Sequence, residues 1–355
     1  TRRTRVGGRM LAQPTNGPDR PPRRWLGSER PGSAAVTVVH MTSAPWANTR
    51  VAIVAGKGGV GSSTVAAAMA LGAATDGADV LFVSVDGRPG MGPLLGGREL
   101  GHTERQLGPI EGGGRIRGRT IPAHQAFSDY LEIKGIGAVV RRAAAAASLP
   151  MIAAATPGLE HLMILARIKE FDHDRSADLI VVDAPAAGRA APFLRSALAV
   201  SDLVTTGPVR DQADEVVEML HDPDRCRVMV VALPEETPVT EAIGLAHEVD
   251  QMGIGHMPLV ANACWPDLPG LAKSPAMAAR SHRLKLSVDA ERVLESAASF
   301  GRARLDRQRQ QLDRLRSAVE QPIIVLPRLA TARLGPDDLP RLVNALTTER
   351  SDGVQ

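Results

Sequence analysis

The chain has 355 residues, 44% of them hydrophobic and 23% charged, the proportions of a soluble globular protein long enough for one large core or two small ones. No apolar run approaches the ~18 residues of a membrane span, and the two cysteines, Cys226 and Cys264, lie far apart outside any Cys-x-x-Cys pair. That excludes a disulfide framework or zinc site and points to a reducing cytoplasm. The formal charge of +3 conceals a basic tail: residues 1–47 carry eight arginines against two acids, leaving 34 basic against 37 acidic residues elsewhere, so a nucleic-acid-binding surface is excluded too.

The tail comes first in chain order. Rich in Pro, Gly and Arg and without apolar periodicity, residues 1–47 are expected to be disordered. They open on Thr1, while Met41 stands just ahead of the first apolar run, so part of the tail reads as non-native. They hold no apolar segment of a secretory signal.

From residue 50 onward, short apolar runs alternate with helical stretches. The runs are "RVAIVAG", "DVLFVSVDG", "ADLIVVDAP", "SDLVTTGP", "RVMVVALPEE", "MPLVANACW" and "PIIVLPRL". Most are rich in Val, Ile and Leu without period-two alternation, as strands buried on both faces must be. Helical patterns lie between them at 64–75, 213–221, 240–252 and 336–346. This repetition predicts a doubly wound, mostly parallel α/β domain over residues 48–355.

Two regions depart from the repeat. Residues 97–120 read as a Gly- and Arg-rich loop ending in the short strand "RIRGRTI", and about 123–171 reads as wholly helical, an inserted lobe in which Thr156 caps and Pro157 starts a helix. Near the end, Leu305, Leu312, Leu315 and Val319 recur at helical spacing among charged residues, which predicts one buried stripe rather than a coiled coil.

The stretch "VAIVAGKGGVGSST" carries the chemistry. A Gly-rich turn between a buried strand and a helix points its amides at an anion, and the helix dipole adds partial positive charge. Gly56, Gly58, Gly59 and Gly61 admit phosphates close to the backbone, with Lys57 and Val60 between them. The pattern G-x-x-x-x-G-K-[ST] runs from Gly56 to Ser63, but its lysine position holds Ser62. Ser63 is placed to ligate Mg²⁺ through its hydroxyl, and Thr64 to reach a further phosphate oxygen. Asp183, ending "DLIVVD", is the candidate acid on the metal.

The loop resembles the deviant Walker A of the arsenite/anion-transporting (ArsA-type) ATPases, which include targeting factors for tail-anchored membrane proteins. "TPGLEHLMILARIKE" is similar to that family's helical-lobe segment, "DAPAAGRAAPFL" to its switch II, "VALPEETPVTEA" to its Pro-Glu strand end and "LVANACWP" to its adenine-reading strand. The resemblance implies a P-loop nucleotide-binding fold and the cofactors ATP and Mg²⁺. It implies a homodimer, or a heterodimer with a paralogue, in which Lys57 reaches the partner's phosphates. It assigns Asp86 to the metal and attacking water, Gly188 to the γ-phosphate through its amide, and Asn262 and Pro327 to the base.

The chain departs from the family at Ser62, where members carry lysine, in "SVDGRPG", which keeps Asp86 but loses a proline and a histidine, and at Ala187 in place of threonine. The arsenite-binding cysteines have no counterpart. These departures imply weak turnover at the chain's own site. Two functions follow: an ATPase that couples nucleotide state to dimer and lobe rearrangement for anion transport or protein targeting, or a nucleotide-sensing regulatory subunit beside an intact ATPase. Either is expected in the cytoplasm, peripheral at the membrane where a membrane client is served.

Overall fold

Strands without alternating polarity need cover on both faces, and the computed structural model supplies it in two helical layers. The structure describes residues 44–122, 126, 158–185 and 188–348. In chain order these form β1 (Val51–Gly56), α1 (Ser62–Thr75), β2 (Asp79–Ser84), α2 (Met91–Leu94), β3 (Arg105–Leu107), β4 (Arg115–Thr120), α3 (Leu159–His173), β5 (Leu179–Asp183), α4 (Ala190–Leu203), α5 (Pro208–His221), β6 (Cys226–Ala232), α6 (Glu236–Gln251), β7 (Gly255–His256), β8 (Leu259–Cys264), α7 (Pro275–Ser281), α8 (Val288–Ala318), β9 (Ile323–Pro327) and α9 (Leu339–Thr347).

The sheet order is β3–β4–β2–β5–β1–β6–β8–β9, with β7 beside β6. Every pairing is parallel except β3 against β4. β1 is central: Val51 is in register with Ile180 of β5 on one side and Cys226 of β6 on the other. Chain connections leave β1 toward β2 and later pass to β6 on the opposite flank, which makes the C-terminal end of β1 a topological switch point, the place where such sheets bind ligands.

Side chains of β1 alternate between two cores. Val51, Ile53 and Ala55 join Leu162, Leu165, Ile168 and Phe171 of α3 and Phe193 of α4, whereas Ala52 and Val54 join Val65 and Met69 of α1 and Leu339 and Leu342 of α9. Each such Val, Ile or Leu contributes about 1.5–3 kcal/mol by leaving water. At the start of β1, Arg50 bonds Asp172 of α3 at 2.6 Å, and Arg225, next to β6, reaches the same buried carboxylate at 2.8 Å. One aspartate thus fastens three elements.

The long helix α8 follows from its ends and its stripe. Ser287 accepts from the Ala290 amide at 3.2 Å, Asp289 and Glu291 face the positive end, and Arg316 lies in the last turn. Leu305, Leu312 and Leu315 are buried, and Val319 follows the helix half-buried. Among the described residues no helix is long and apolar enough to cross a membrane.

Four sequence expectations change. "SDLVTTGP" is no strand: residues 201–203 finish α4, and Leu203 is exposed. The Gly-rich stretch 97–120 contains β3, paired antiparallel to β4. The tail was expected to extend through residue 47, yet Trp46 is buried against α1 and its Nε1 donates to Asp76 Oδ2 at 3.2 Å. The helical insertion expected at 123–171 includes α3, which lies on the sheet within the main core rather than in a separate lobe. Residues 123–125 and 127–157, with Thr156 and Pro157, lie outside the described residues, as do 1–43.

Candidate functional site

β1 delivers the chain to the switch point, and the loop Lys57–Gly61 turns it into α1. Gly61 has φ +85°, and a Cβ placed there would sit 2.3 Å from Asn262 Nδ2, so glycine is demanded twice over. Beyond Gly61 the first turn of α1 carries neither a side-chain cap nor an acidic residue. Its unpaired amides and the dipole therefore form a positive end open to a ligand. Ser62 and Ser63 are both buried, and Ser62 brings no charge to the turn.

Two of the residues expected at the metal, Ser63 and Asp183, meet beneath this turn. Ser63 Oγ donates to Asp183 Oδ1 at 2.9 Å, and Ser84 Oγ, at the end of β2, reaches Asp183 Oδ2 at 3.4 Å. Asp183 is almost wholly buried at the end of β5, beside β1. Burial pushes its carboxyl above the usual value, against the opposing pull of Arg88 and the two hydroxyl bonds. A hydroxyl and a carboxylate under open amides suit Mg²⁺, a hard cation that keeps waters and takes its other ligands from phosphates. Among the described residues no group of three or more His, Cys, Asp or Glu side chains is placed to hold a metal ion by itself.

Two arginines, neither singled out from sequence, share the site. Arg88, in the loop after β2, donates from Nη1 to Ser63 Oγ at 2.6 Å, and its Nη2 lies 3.7 Å from Asp86 Oδ2. Arg189, just ahead of α4, donates from Nη2 to Asp86 Oδ2 at 3.0 Å. Asp86 therefore stands near the Ser63–Asp183 pair, tied to the segment that begins at Gly188, whose φ is +75°. Ala187 lies outside the described residues. His161 of α3 packs edge-on to Phe193, with ring centroids 5.7 Å apart. Burial first, then the Arg189 charge, hold its imidazole below the ordinary value, so it is neutral at pH 7.

The remaining candidates divide. Lys57 is half-exposed and its ammonium pairs with Glu241 of α6. Asn262 meets the loop directly: Nδ2 donates to the Val60 carbonyl at 2.8 Å and Oδ1 accepts from the Ala263 amide at 2.8 Å. Both of its amide atoms, expected on a base edge, are thus engaged by main chain in this state. Pro327 ends β9 opposite Cys264. Beside it Trp265 packs against Arg304 and Arg328, whose guanidinium carbons stand over the ring, 4.8 and 4.9 Å from its centroid.

Sequence reasoning found the contiguous glycine loop and the acids at strand ends. It missed Arg88 and Arg189, whose partners lie 25 and 103 positions away in the chain. One local signal was available for Arg88: in "DGRPG" it stands between turn residues directly after a buried strand.

The chain is similar to proteins named as ATPases. Residues 49–207 match the family described as anion-transporting ATPase. The chain is 39% identical over 213 residues to ATPase BagA of Mycobacterium tuberculosis, covering 57% of this chain and 62% of that protein. A putative ATPase of Mycobacterium bovis matches with the same figures. A putative arsenical pump-driving ATPase of Halobacterium salinarum is 25% identical over 243 residues, 63% of this chain and 37% of its own length. The chain thus spans less than two thirds of each of these relatives.

Proposed function

We propose that the chain, whose residues 49–207 match the family described as anion-transporting ATPase, binds Mg-ATP at the Gly56–Thr64 loop and hydrolyses it slowly, coupling nucleotide state to rearrangement of a dimer. The observation that carries this reading is the Ser63–Asp183 bond beneath the uncapped first turn of α1. In this reading Ser63 and Asp183 hold the metal, the amides from Gly58 to Thr64 bind the phosphates, and Asp86 orients the attacking water through a carboxylate oxygen. Mg²⁺ supplies charge neutralisation at the β- and γ-phosphates. Gly188 offers its amide to the γ-phosphate, so the state of the nucleotide reaches α4. Asn262 and Pro327 flank the base once the Asn262 amide is released from the loop.

Lys57 acts on a partner's phosphates after leaving Glu241, in a homodimer or in a heterodimer with a paralogue. The outcome is anion transport, on the model of relatives named as arsenical pump-driving ATPases, or delivery of a membrane-protein client. A second reading is favoured by the uncharged Ser62: a nucleotide-sensing subunit whose intact partner performs the turnover. Calorimetric titration of ATP and Mg²⁺ into the full chain tests binding, and absence of heat overturns both readings. Turnover measured alone and with a companion ATPase separates them, and Ser62→Lys raising the chain's own rate supports the first.

A further inference from the structure

A phosphate cradle without its lysine leaves the negative charge of a triphosphate to amides and metal alone. Of the two arginines that share the site, Arg88 is the one bonded to the helix that follows the loop. Arg88 donates to the hydroxyl of Ser63, in the first turn of α1. Its other terminal nitrogen, Nη2, is buried and has no hydrogen-bond partner.

We propose that Arg88 is the phosphate-binding cation of this site, taking the place of the ammonium that position 62 lacks. The inference deepens the reading of the loop as a nucleoside-triphosphate site and rests on it. The class of ligand is the β,γ-end of a triphosphate, for which a guanidinium offers two parallel donors.

Three features support a built position over a stray surface charge. The loop that carries Arg88 is set by glycines with positive φ on both sides, Gly87 at +59° and Gly90 at +91°. The Gly90 amide donates to both carboxylate oxygens of Glu99, at 2.9 and 3.0 Å, and Met91, Leu94 and Leu95 are buried immediately after. Asp86, the nearest acid to Nη2, already accepts a hydrogen bond from Arg189 at 3.0 Å and stands 3.7 Å from Arg88, beyond hydrogen-bond reach. A buried donor left in this condition gains most from an incoming oxygen anion.

In this structure Arg88 also sits on the hydroxyl assigned to the metal. As Mg-ATP enters, Nη1 leaves Ser63 Oγ for a phosphate oxygen and Nη2 gains its first hydrogen-bond partner. The alternative is a plug that only blocks Ser63, and the two roles have opposite signs.

The test is the affinity of the full chain for ATP with Mg²⁺, and for inorganic tripolyphosphate, measured by calorimetry for the wild type, Arg88→Ala and Arg88→Lys, with thermal melts to establish that each is folded. We expect Arg88→Ala to weaken both ligands about 10- to 100-fold, the loss of a charge-assisted contact, and Arg88→Lys to recover part of it. Unchanged or tighter binding by Arg88→Ala, with the wild type binding ATP, overturns the assignment while leaving the nucleotide site intact. If Arg88→Ala does not fold, Arg88→Lys binding as the wild type supports the cation role, and tighter binding overturns it. A wild type that binds no ATP overturns both.

Discussion

The side chain of Asn262 is bonded to the phosphate loop: its amide nitrogen donates to the Val60 carbonyl at 2.8 Å, joining residues 202 positions apart. The end of β8 therefore determines the shape of the turn after β1. Asn262→Ala leaves the carbonyl of the buried Val60 without this donor and is expected to cost about 1–3 kcal/mol in urea unfolding. Gly61→Ala drives a methyl into the same amide and forces a non-glycine residue to φ +85°, costing about 2 kcal/mol or more. Combined, the two are expected to be less harmful than their sum, because the first removes the atom that the second strikes.

The burial of Asp183 sets its proposed role at the metal against stability. Its folded-state pKa is raised by burial, so its contribution to stability is fully present below the unfolded value of 3.8 and lost as pH rises through the folded value. At neutral pH the protein therefore carries a disfavoured charge. Asp183→Asn is expected to raise the thermal midpoint by roughly 2–4 °C, the shift about 1 kcal/mol gives in a domain of this size. It is also expected to abolish the effect of Mg²⁺ on ATP affinity. The stability advantage of the variant shrinks on acidification toward pH 4, which melts across pH will reveal.

Asp172 is the clamp between Arg50 and Arg225. Its removal strands two guanidinia at the base of the central strands. Asp172→Ala is expected to lose about 3–5 kcal/mol by chemical denaturation, whereas Asp172→Asn, which keeps the acceptor oxygen, loses less. Equal losses would mean that the charge, which both variants lack, rather than the shape that asparagine keeps, holds the three elements.

The two thiols are expected to be inert. Cys226 is fully buried at the start of β6, and burial pushes its thiol up to about 12, reinforced by the Asp172 charge. Cys264 is buried beside Pro327. Thiolate is the reacting species, so alkylation at pH 8 should modify neither cysteine in the native protein and both in denaturant.

The parallel sheet was legible because strands such as "DLIVVD" are apolar at successive positions, and only two-sided burial accounts for that. "SDLVTTGP" imitates them for a local reason. The last turn of α4 brings Leu203 next to Val204, an extended residue at the helix terminus, and no glycine intervenes before Gly207 to mark the stop. Trp46 gave no signal, since a single aromatic among Pro, Ala and Thr has no period; its place is set by Gly72, the gap in α1 that admits it. The glycine loop and strand-end acids were readable because each is defined by its immediate neighbours. Arg88 on Ser63, Arg189 on Asp86 and Asn262 on Val60 are meetings that topology creates, and spacing along the chain contains none of them.

The indole of Trp46 is wedged against Gly72, at the end of α1 opposite its uncapped opening turn. A pulling force applied ahead of residue 44 is expected to load this contact before it reaches β1 along the chain. An optical-tweezers handle attached there would make nucleotide occupancy readable as a change in rupture force, with the tryptophan as the mechanical coupling.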